Sequence, residues 1–268
     1  MERTDIAYVV NSTPKYFYLL PLHFCLLRRY CPKLRWPVYL ATEVPTDPIV
    51  QDVAKQYDVK ILEIATNDQW FLESRLATAK ALPEEIKYIL PIQEDFLLQN
   101  RPDIEALIEA LAILDVDPKV ASIRLMPCPG PSLESDQYGN TKYKILDESF
   151  LHTYQATLWR RSIYTDFFRL LVELPESIYA HSIPKNLQGW QRKKYIQVDF
   201  NLAENYLGQE IFRKLTESMK CLAYPRAHLR PNAVYLCPWP YRPTAVEKGK
   251  LGDWVYEFAL REGFPIQK

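Results

Sequence analysis

The segment YILPIQEDFLL, residues 88–98, decides how the rest of the chain is interpreted. Its first five residues are apolar or proline, which is typical of a buried strand, and Gln93, Glu94 and Asp95 follow directly. Two adjacent carboxylates at the end of a buried strand are costly unless a cation pairs with them. A divalent metal is one such cation, because it prefers carboxylate oxygens. The alternative is that Glu94 and Asp95 cap a helix that starts at Phe96, and the residues alone leave both interpretations open.

Short apolar runs alternate with amphipathic segments on both sides of this segment. The alternation predicts an α/β fold with a mostly parallel sheet, in which ligands bind beyond the carboxyl ends of the strands. The predicted strands are residues 6–10, 37–41, 59–64, 88–92, 120–125, 153–158, 221–224 and 234–237. The predicted helices are residues 16–30, 48–57, 68–81, 102–114, 162–173, 199–206 with a continuation to about 219, and 247–262. Turn-forming residues predict loops at 126–140 and 175–194.

The composition argues against several kinds of partner and site. The 268 residues are 48% hydrophobic, which is ample for a core, and 33 basic residues balance 33 acidic ones. Without a basic excess no nucleic-acid partner is expected, because such binding needs a concentrated cationic surface. The five cysteines form no Cys-x-x-Cys pair and are odd in number, so neither a zinc cluster nor a disulfide framework is expected.

The same features bear on location and organisation. The cysteine pattern favours a reducing compartment, and the N-terminus MERTDIAYVV lacks a signal-peptide layout, so a cytoplasmic location is expected. No uncharged apolar run reaches about 18 residues, so no transmembrane segment is predicted, and peripheral contact with a membrane stays open. No repeat or low-complexity linker interrupts the chain, which predicts one domain over residues 1–268.

The order of several segments resembles that of the GT-A glycosyltransferases, which use nucleotide-sugar donors. YILPIQEDFLL resembles their variant Asp-x-Asp segment, and IAYVVNSTPKYFYLL looks like their first strand and donor-binding turn. WPVYLATE looks like their second strand, and NDQWFLESRLATAKAL looks like the helix before the acidic strand. TYQATLWRRS resembles their acceptor-side strand, and VDFNLAENYLGQ resembles the helix that carries the catalytic base of inverting members.

The resemblance implies a GT-A-like single domain with a smaller acceptor-side sheet. Residues 1–100 would form the donor half, residues 101–245 the acceptor half, and residues 246–268 a C-terminal helix. The implied activity is that of an inverting hexosyl- or pentosyltransferase in carbohydrate synthesis. It would move a sugar from a nucleoside-diphosphate sugar to a glycan or other hydroxyl acceptor, with the help of Mn²⁺ or Mg²⁺.

Four side chains receive catalytic or metal-binding roles from the resemblance. Asp95 would hold the metal, and His228 would be a further metal ligand after the acceptor half. An acceptor hydroxyl is a poor nucleophile that needs a general base, and Glu204 would be that base, with Asp199 the alternate. The alternative for Glu204 and for Asp199 is a solvated position on the surface of a helix.

Other candidates would contact the donor. Gln93 stands where the family has its first Asp, so metal and donor binding would depend on Asp95 and Glu94. Arg75 could bind phosphate bidentately, or it could form a surface ion pair with Glu73 or Asp68. Tyr16 could stack on the base of the nucleotide, or it could pack into the core.

The ends of the chain supply the remaining donor candidates. Asn11 and Ser12 end the first strand and could bond the edge of the base, although Ser12 could instead cap the following helix. In the tail, Lys248 and Lys250 could close over a diphosphate, with Gly249 letting the backbone come near. The alternative for these lysines is a charged turn that opens the last helix.

Competing classes of function lack their own signatures. No glycine precedes Gly130, so NSTPKYF after the first strand cannot be the Gly-rich phosphate loop of nucleotidylyltransferases, kinases or dehydrogenases. A Gly-x-Ser-x-Gly elbow is also absent, which disfavours a hydrolase. Because Gln93 replaces an Asp, the alternative function is a catalytically inactive GT-A-like protein that binds a carbohydrate or a nucleotide. His23 lies on an apolar helix and is expected to be a satisfied core residue.

Overall fold

The central sheet and its flanking helices are seen in a computed structural model. It describes residues 2–64, 71–126, 130–132, 134–147, 150–174, 200–225, 237–242, 245–247, 249–264 and 266. The predicted α/β fold is confirmed: an eight-stranded sheet lies between helices, and two two-stranded sheets stand beside it. Six of the eight strands run in one direction, so the sheet is mostly parallel. None of the helices in the described part of the chain is long and apolar enough to cross a membrane.

Seven of the eight predicted strands are present in the described part of the chain, although the one predicted at 153–158 runs from Thr157 to Arg160, and five short strands were not predicted. The strands are β1 (Ile6–Asn11), β2 (Val38–Thr42), β3 (Lys60–Glu63), β4 (Tyr88–Gln93), β5 (Leu97–Leu98), β6 (Val120–Arg124), β7 (Lys144–Ile145), β8 (Thr157–Arg160), β9 (Lys220–Ala223), β10 (Tyr241–Arg242), β11 (Val246–Glu247) and β12 (Lys250–Leu251). The large sheet has the order β3-β2-β1-β4-β8-β6-β9-β7. The pairs β5–β10 and β11–β12 form the two small antiparallel sheets.

Three of the helices begin at a polar side chain that caps them. The helices are α1 (Leu20–Tyr30), α2 (Pro48–Tyr57), α3 (Phe71–Ala81), α4 (Ile104–Val116), α5 (Arg161–Val172), α6 (Tyr206–Leu215) and α7 (Asp253–Arg261), with 3-10 helices at Pro14–Leu19 and Phe200–Ala203. Asp47, Asp103 and Asn205 accept backbone N–H groups in the first turns of α2, α4 and α6. Each cap satisfies a donor that has no partner inside its own helix.

The sheet is covered by helices on both faces. Ile6, Tyr8 and Val10 of β1 pack into one core with residues of α1, α2, α4 and α7, whereas Ala7 and Val9 pack into a second core with residues of α3, α5 and α6. Alternate side chains of a strand point to opposite faces, so a strand covered on both faces is expected to be apolar. All six residues of β1 are buried, which explains the apolar run from Ile6 to Val10, and Asn11 at its end is the one polar residue.

Two consecutive arginines join the sheet to the ends of two helices. Arg160 ends β8 and donates to the carbonyl oxygens of Leu114 and Asp117 at the end of α4. Arg161 begins α5 and donates to several carbonyl oxygens at the end of α3, including that of Ala79. The last carbonyl groups of a helix have no partner within it, so the two guanidinium groups satisfy acceptors that would otherwise be bare.

The helix predicted over residues 247–262 is wrong in its first part. There β11 and β12 form a hairpin, and α7 begins only at Asp253. Gly249 lies in the turn of the hairpin with φ of 77°, a conformation that glycine adopts easily and that a helix does not contain. The glycines of this segment therefore outweigh its helical periodicity.

The helix predicted over residues 199–206 is also wrong. A 3-10 helix ends at Ala203, and the Asn205 side chain accepts the Gly208 N–H at 3.0 Å and starts α6. A Cβ at Gly208 would lie 2.5 Å from the carbonyl oxygen of Ala203, so only glycine lets α6 approach the 3-10 helix this closely.

The predicted helix over 16–30 likewise starts as a 3-10 helix. The loop predicted at 175–194 lies outside the described residues. So does the strand predicted at 234–237, except for Cys237, which is not part of a strand.

Candidate functional site

Strands β1 and β4 end side by side at the carboxyl edge of the sheet. They pair in parallel, and Asn11 lies opposite Gln93 in the register. The chain leaves both strands at this point, at Ser12 and at Glu94. In parallel sheets this edge is where ligands bind, so the two polar segments singled out in the sequence meet where a ligand site is expected.

The residues that follow β4 form a β-turn. The Phe96 N–H donates to the Gln93 carbonyl oxygen at 3.0 Å, with Glu94 and Asp95 in the two central positions. The short strand β5 comes next, and the following helix, α4, begins later in the chain. The alternative in which Glu94 and Asp95 cap a helix at Phe96 is therefore wrong.

The two carboxylates of this turn have little access to water. Glu94 is 8% exposed; its burial raises its pKa to about 8, the charge of Asp95 adds to the rise, and Arg75 opposes it. Burial raises the pKa of Asp95 to about 6, opposed by the N–H of Val246 and by Arg75. Asp95 Oδ1 is buried and has no hydrogen-bond partner among the described residues. A bound cation would favour the charged form of both groups and lower both pKa values.

Replacing Glu94 with glutamine should change how the stability of the protein depends on pH. Because the folded-state pKa of Glu94 is about 8, the folded protein binds more protons than the unfolded chain between about pH 4.5 and pH 8. The stability of the wild-type protein therefore falls as pH rises through this window. From pH 5 to pH 8, Glu94→Gln should gain roughly 3 kcal/mol in free energy of unfolding relative to wild type.

Urea unfolding of both proteins at the two pH values measures this difference. Glu84→Gln, at an exposed position, is the matched control and should follow the wild-type pH dependence. A Glu94→Gln variant whose stability differs from wild type by the same amount at pH 5 and pH 8 would contradict the raised pKa of Glu94.

Arg75 on α3 lies beside the acidic turn and is 4% exposed. Its Nη1 donates to Asn11 Oδ1 at 2.6 Å, and Asn11 Nδ2 donates to Thr78 Oγ1 at 2.6 Å. The guanidinium also lies 4.6 Å from the centre of the Phe71 ring. A surface position for Arg75 is therefore wrong, and its buried charge lowers the pKa of Glu94 and of Asp95. Asp68, one of its two predicted ion-pair partners, lies outside the described residues.

The other predicted donor residues around β1 differ in accessibility. Ser12 is 4% exposed and lies beside Glu94, whose pKa it lowers slightly; the 3-10 helix begins after Thr13, so the capping alternative for Ser12 is wrong. Tyr16 is half-buried, with Lys15 Nζ 5.1 Å from its ring centre, and it belongs to neither core. Packing of Tyr16 into the core is thus wrong, and its contact with a base remains a prediction.

The C-terminal hairpin lies against the acidic turn. The Ala245 N–H donates to the Asp95 carbonyl oxygen at 3.2 Å, and the Val246 N–H lies 3.4 Å from Asp95 Oδ2. The position of a Cβ on Gly249 lies 3.4 Å from Lys15 Nζ, and Lys250 is exposed. The hairpin thus borders the predicted donor site. Three predicted site residues lie outside the described residues, namely Asp199, His228 and Lys248.

Glu204 lies in the turn between the 3-10 helix and α6. Its Oε1 accepts the backbone N–H of Tyr154 at 2.7 Å. Burial raises the pKa of Glu204, while this hydrogen bond and the charge of Arg124 oppose the rise. The alternative of a solvated carboxylate on a helix surface is therefore wrong for Glu204.

A small cavity lies beside the end of β4, and Glu204, Glu94 and Asp95 are not among the residues that line it. Arg75 and Gln93 line it on one side, and His152 and Tyr154 line it on the other. Because Glu204 binds the N–H of Tyr154, it lies one residue away from a cavity that reaches the last residue of β4. The structure thus places the predicted phosphate ligand Arg75 and the end of the acidic strand on one cavity, while Glu204 contacts only a residue that lines it.

Sequence reasoning missed the residues that hold the Glu204 turn in place. The Gln209 side chain accepts the N–H of His152 at 3.0 Å and donates to the His152 carbonyl oxygen at 2.8 Å. His152 is 1% exposed, and Tyr154, two residues on, binds Glu204. These contacts join positions 50–57 residues apart, and no local pattern signals them. The only hint was that both segments carry polar residues beside apolar ones.

Comparisons with known proteins give distant similarity in fold. Neither a protein-family model nor a curated protein sequence matches the chain. S. aureus TarS 1-349 is 15% identical with a TM-score of 0.42, over 83% of this chain and 58% of that one. The same protein in complex with UDP-GlcNAc is 14% identical with a TM-score of 0.40, over 86% and 60%.

A 4-diphosphocytidyl-2C-methyl-D-erythritolsynthase from Anaerococcus prevotii DSM 20548 is 9% identical with a TM-score of 0.45, over 84% of this chain and 90% of that one. In contrast, this chain spans less than two thirds of the length of the two TarS chains to which it is similar. Similarity at this level carries no information about what the chain binds or catalyses.

Proposed function

We propose that the chain is an inverting glycosyltransferase, which moves a hexosyl or pentosyl group from a nucleoside-diphosphate sugar to an acceptor hydroxyl. The observation that carries the proposal is the pair of adjacent, shielded carboxylates, Glu94 and Asp95, at the carboxyl edge of parallel strands with the buried Arg75 beside them. A diphosphate leaving group develops negative charge. The positive charge of Arg75 would stabilise it directly, and a divalent cation held by the two carboxylates would add to this stabilisation.

The metal part of the proposal is supported by the donor set at this edge. Asp95 Oδ1 is a buried carboxylate oxygen without a hydrogen-bond partner among the described residues, which is what an oxygen-preferring cation requires. Asp95 and Glu94 would hold Mn²⁺ or Mg²⁺, and His228 is proposed as a further ligand. The bound ion would supply charge stabilisation at the leaving diphosphate. Mg²⁺ commonly binds one or two carboxylates together with substrate phosphates, so two carboxylates can suffice.

The base in this proposal is Glu204. Its raised pKa favours proton uptake, and its neighbour Tyr154 lines the cavity that leads to Gln93. A general base is most effective when its pKa lies near the working pH, so burial of Glu204 helps this role. The proposed acceptor is a glycan or another hydroxyl compound. The four cysteines of the described part of the chain are free thiols, which fits the proposed cytoplasmic location.

A thermal-shift screen of nucleoside diphosphates with and without Mn²⁺ tests the proposed function. A ligand that binds only the folded state stabilises it by about 2.7 kcal/mol at a concentration of 100 times Kd. One nucleoside diphosphate should therefore raise Tm by several degrees, and Mn²⁺ should increase the rise. No change in Tm with any nucleoside diphosphate at millimolar concentration would count against the proposal.

Gln93 favours one alternative, a protein that binds the same ligands without catalysis. The neutral Gln93 side chain stands where a second metal-binding carboxylate would otherwise lie, and its Nε2 is buried without a partner among the described residues. Hydrolysis of nucleotide sugars in the presence of Mn²⁺ separates the two functions. A protein that is stabilised by a nucleoside diphosphate but hydrolyses no nucleotide sugar would support the binding protein.

A further inference from the structure

The side chain of His23 connects the core of the sheet with the acidic turn. His23, on α1, is 3% exposed, and Tyr8, on β1, is 1% exposed. The Tyr8 hydroxyl lies 2.8 Å from His23 Nε2, and His23 Nδ1 lies 3.0 Å from the carbonyl oxygen of Glu94. The prediction of a satisfied core histidine is therefore confirmed, but one of its two partners belongs to the candidate site.

The hydrogen bonds determine which ring nitrogen of His23 carries the proton. A carbonyl oxygen can only accept, so Nδ1 must donate to Glu94. A neutral imidazole with its proton on Nδ1 has an unprotonated Nε2, which lies 2.8 Å from the Tyr8 hydroxyl and accepts its hydrogen. Tyr8 therefore donates a hydrogen bond to His23, and His23 donates one to the Glu94 carbonyl oxygen.

The carbonyl that His23 holds belongs to the central peptide of the β-turn. Rotation of this peptide distinguishes a type I from a type II turn, and the type II form needs a positive φ at Asp95. Asp58 is the one non-glycine residue with positive φ in the described part of the chain, so the turn at Asp95 is not of type II. A peptide rotation would strain Asp95 and would also remove the acceptor from His23.

The far side of the turn is held by different groups. Asp95 accepts the Ala245 N–H on its carbonyl oxygen, and the ring of Tyr8 lies 5.7 Å from that of Trp239 in the same C-terminal segment. Among these contacts the hydrogen bond from His23 acts on the peptide between the two acidic residues. Its loss would therefore leave the fold of the strands in place and free the orientation of that peptide.

We propose that Tyr8 and His23 are positioning residues, which fix the Glu94–Asp95 peptide through the His23 Nδ1–H and thereby direct both carboxylates toward the ligand edge. This inference deepens the proposed function and rests on it, since these carboxylates are the ones proposed to hold the donor's metal. Neither side chain touches the ligand, so their effect passes through the backbone of the turn.

Two amide substitutions of His23 separate positioning from packing. Asparagine places its amide nitrogen near the position of Nδ1, whereas glutamine reaches toward the position of Nε2. Both variants remove the ring and leave similar cavities, so they lose similar packing. We expect the Phe96 amide, which closes the turn, to exchange its hydrogen about tenfold faster in His23→Gln than in His23→Asn. The Leu40 amide of β2 should exchange at equal rates in both and serves as the control for global stability.

Two further measurements complete the test. In the wild-type protein, ¹⁵N NMR should find His23 protonated on Nδ1. In the two variants, titration with Mn²⁺ alone should give an affinity for Mn²⁺ about tenfold weaker in His23→Gln than in His23→Asn. Protonation on Nε2, or equal Phe96 exchange in the two variants, overturns the positioning role. If the exchange difference is found and wild type binds no Mn²⁺, the positioning role stands and the metal-assisted function fails.

Discussion

Asp95→Asn should abolish the Mn²⁺-dependent part of nucleoside-diphosphate binding, with a loss of affinity of about 100-fold or more. Asparagine keeps the size of the side chain and one oxygen, but it removes the negative charge that would attract the cation. The change acts at the carboxylate whose Oδ1 is buried without a hydrogen-bond partner among the described residues. Calorimetric titration of the nucleoside diphosphate with and without Mn²⁺ measures the loss.

The same substitution should leave the protein at least as stable as wild type at pH 8. Burial raises the pKa of Asp95 to about 6, so its charged form is less favourable in the folded protein than in the unfolded chain. Asp52→Asn, at an exposed position on α2, is the matched control and should change neither binding nor stability. Wild-type Mn²⁺ dependence in Asp95→Asn would remove Asp95 from the proposed metal site.

Glu204→Gln should bind the donor as wild type does and lose sugar transfer by about 10²–10⁴-fold. Glutamine retains an oxygen that can accept the Tyr154 N–H, so the turn before α6 should keep its structure. What it loses is the ability to take a proton from the acceptor hydroxyl. Single-turnover transfer, together with Kd for the nucleoside diphosphate, measures the two effects separately.

The control for Glu204 lies six residues further on, within α6. Glu210 pairs with Arg213 on the outside of α6, and Glu210→Gln should leave transfer unchanged, because exposed ion pairs contribute little. Transfer at the wild-type rate in Glu204→Gln would show that the base lies elsewhere. Asp199 would then be the next candidate for the same substitution.

Most of the fold could be predicted from sequence because its strands are buried on both faces. The first five residues of β1, Ile6 to Val10, are apolar because both faces of the strand are covered, and a run of this kind can be recognised without any knowledge of its neighbours. Helix α2 has the predicted bounds because Asp47 caps its start and Asp58, with φ of 52°, ends it in the left-handed conformation. The two helices predicted at 199–206 and at the start of 247–262 are wrong because the backbone near each depends on a glycine, Gly208 and Gly249.

The candidate site was only partly predictable, for a different reason. Glu94 and Asp95 could be found because they are neighbours in sequence at the end of an apolar strand. The burial of Arg75 against Asn11 and the bond from His23 to Glu94 join residues 64 and 71 positions apart. Such contacts depend on how α1 and α3 pack on the sheet, and the local pattern of a helix gives the face it buries but not its partner.

The two consecutive arginines at the end of β8 limit which segments of this protein could be exchanged. Arg160 and Arg161 belong to the part of the chain proposed to recognise the acceptor, yet Arg161 satisfies carbonyl groups at the end of α3, in the part proposed to bind the donor. A chimera that imports a foreign segment after residue 100 must bring guanidinium groups at both places. Exchange of surface loops alone would keep this junction intact, so loop grafting is the safer route to a new acceptor preference.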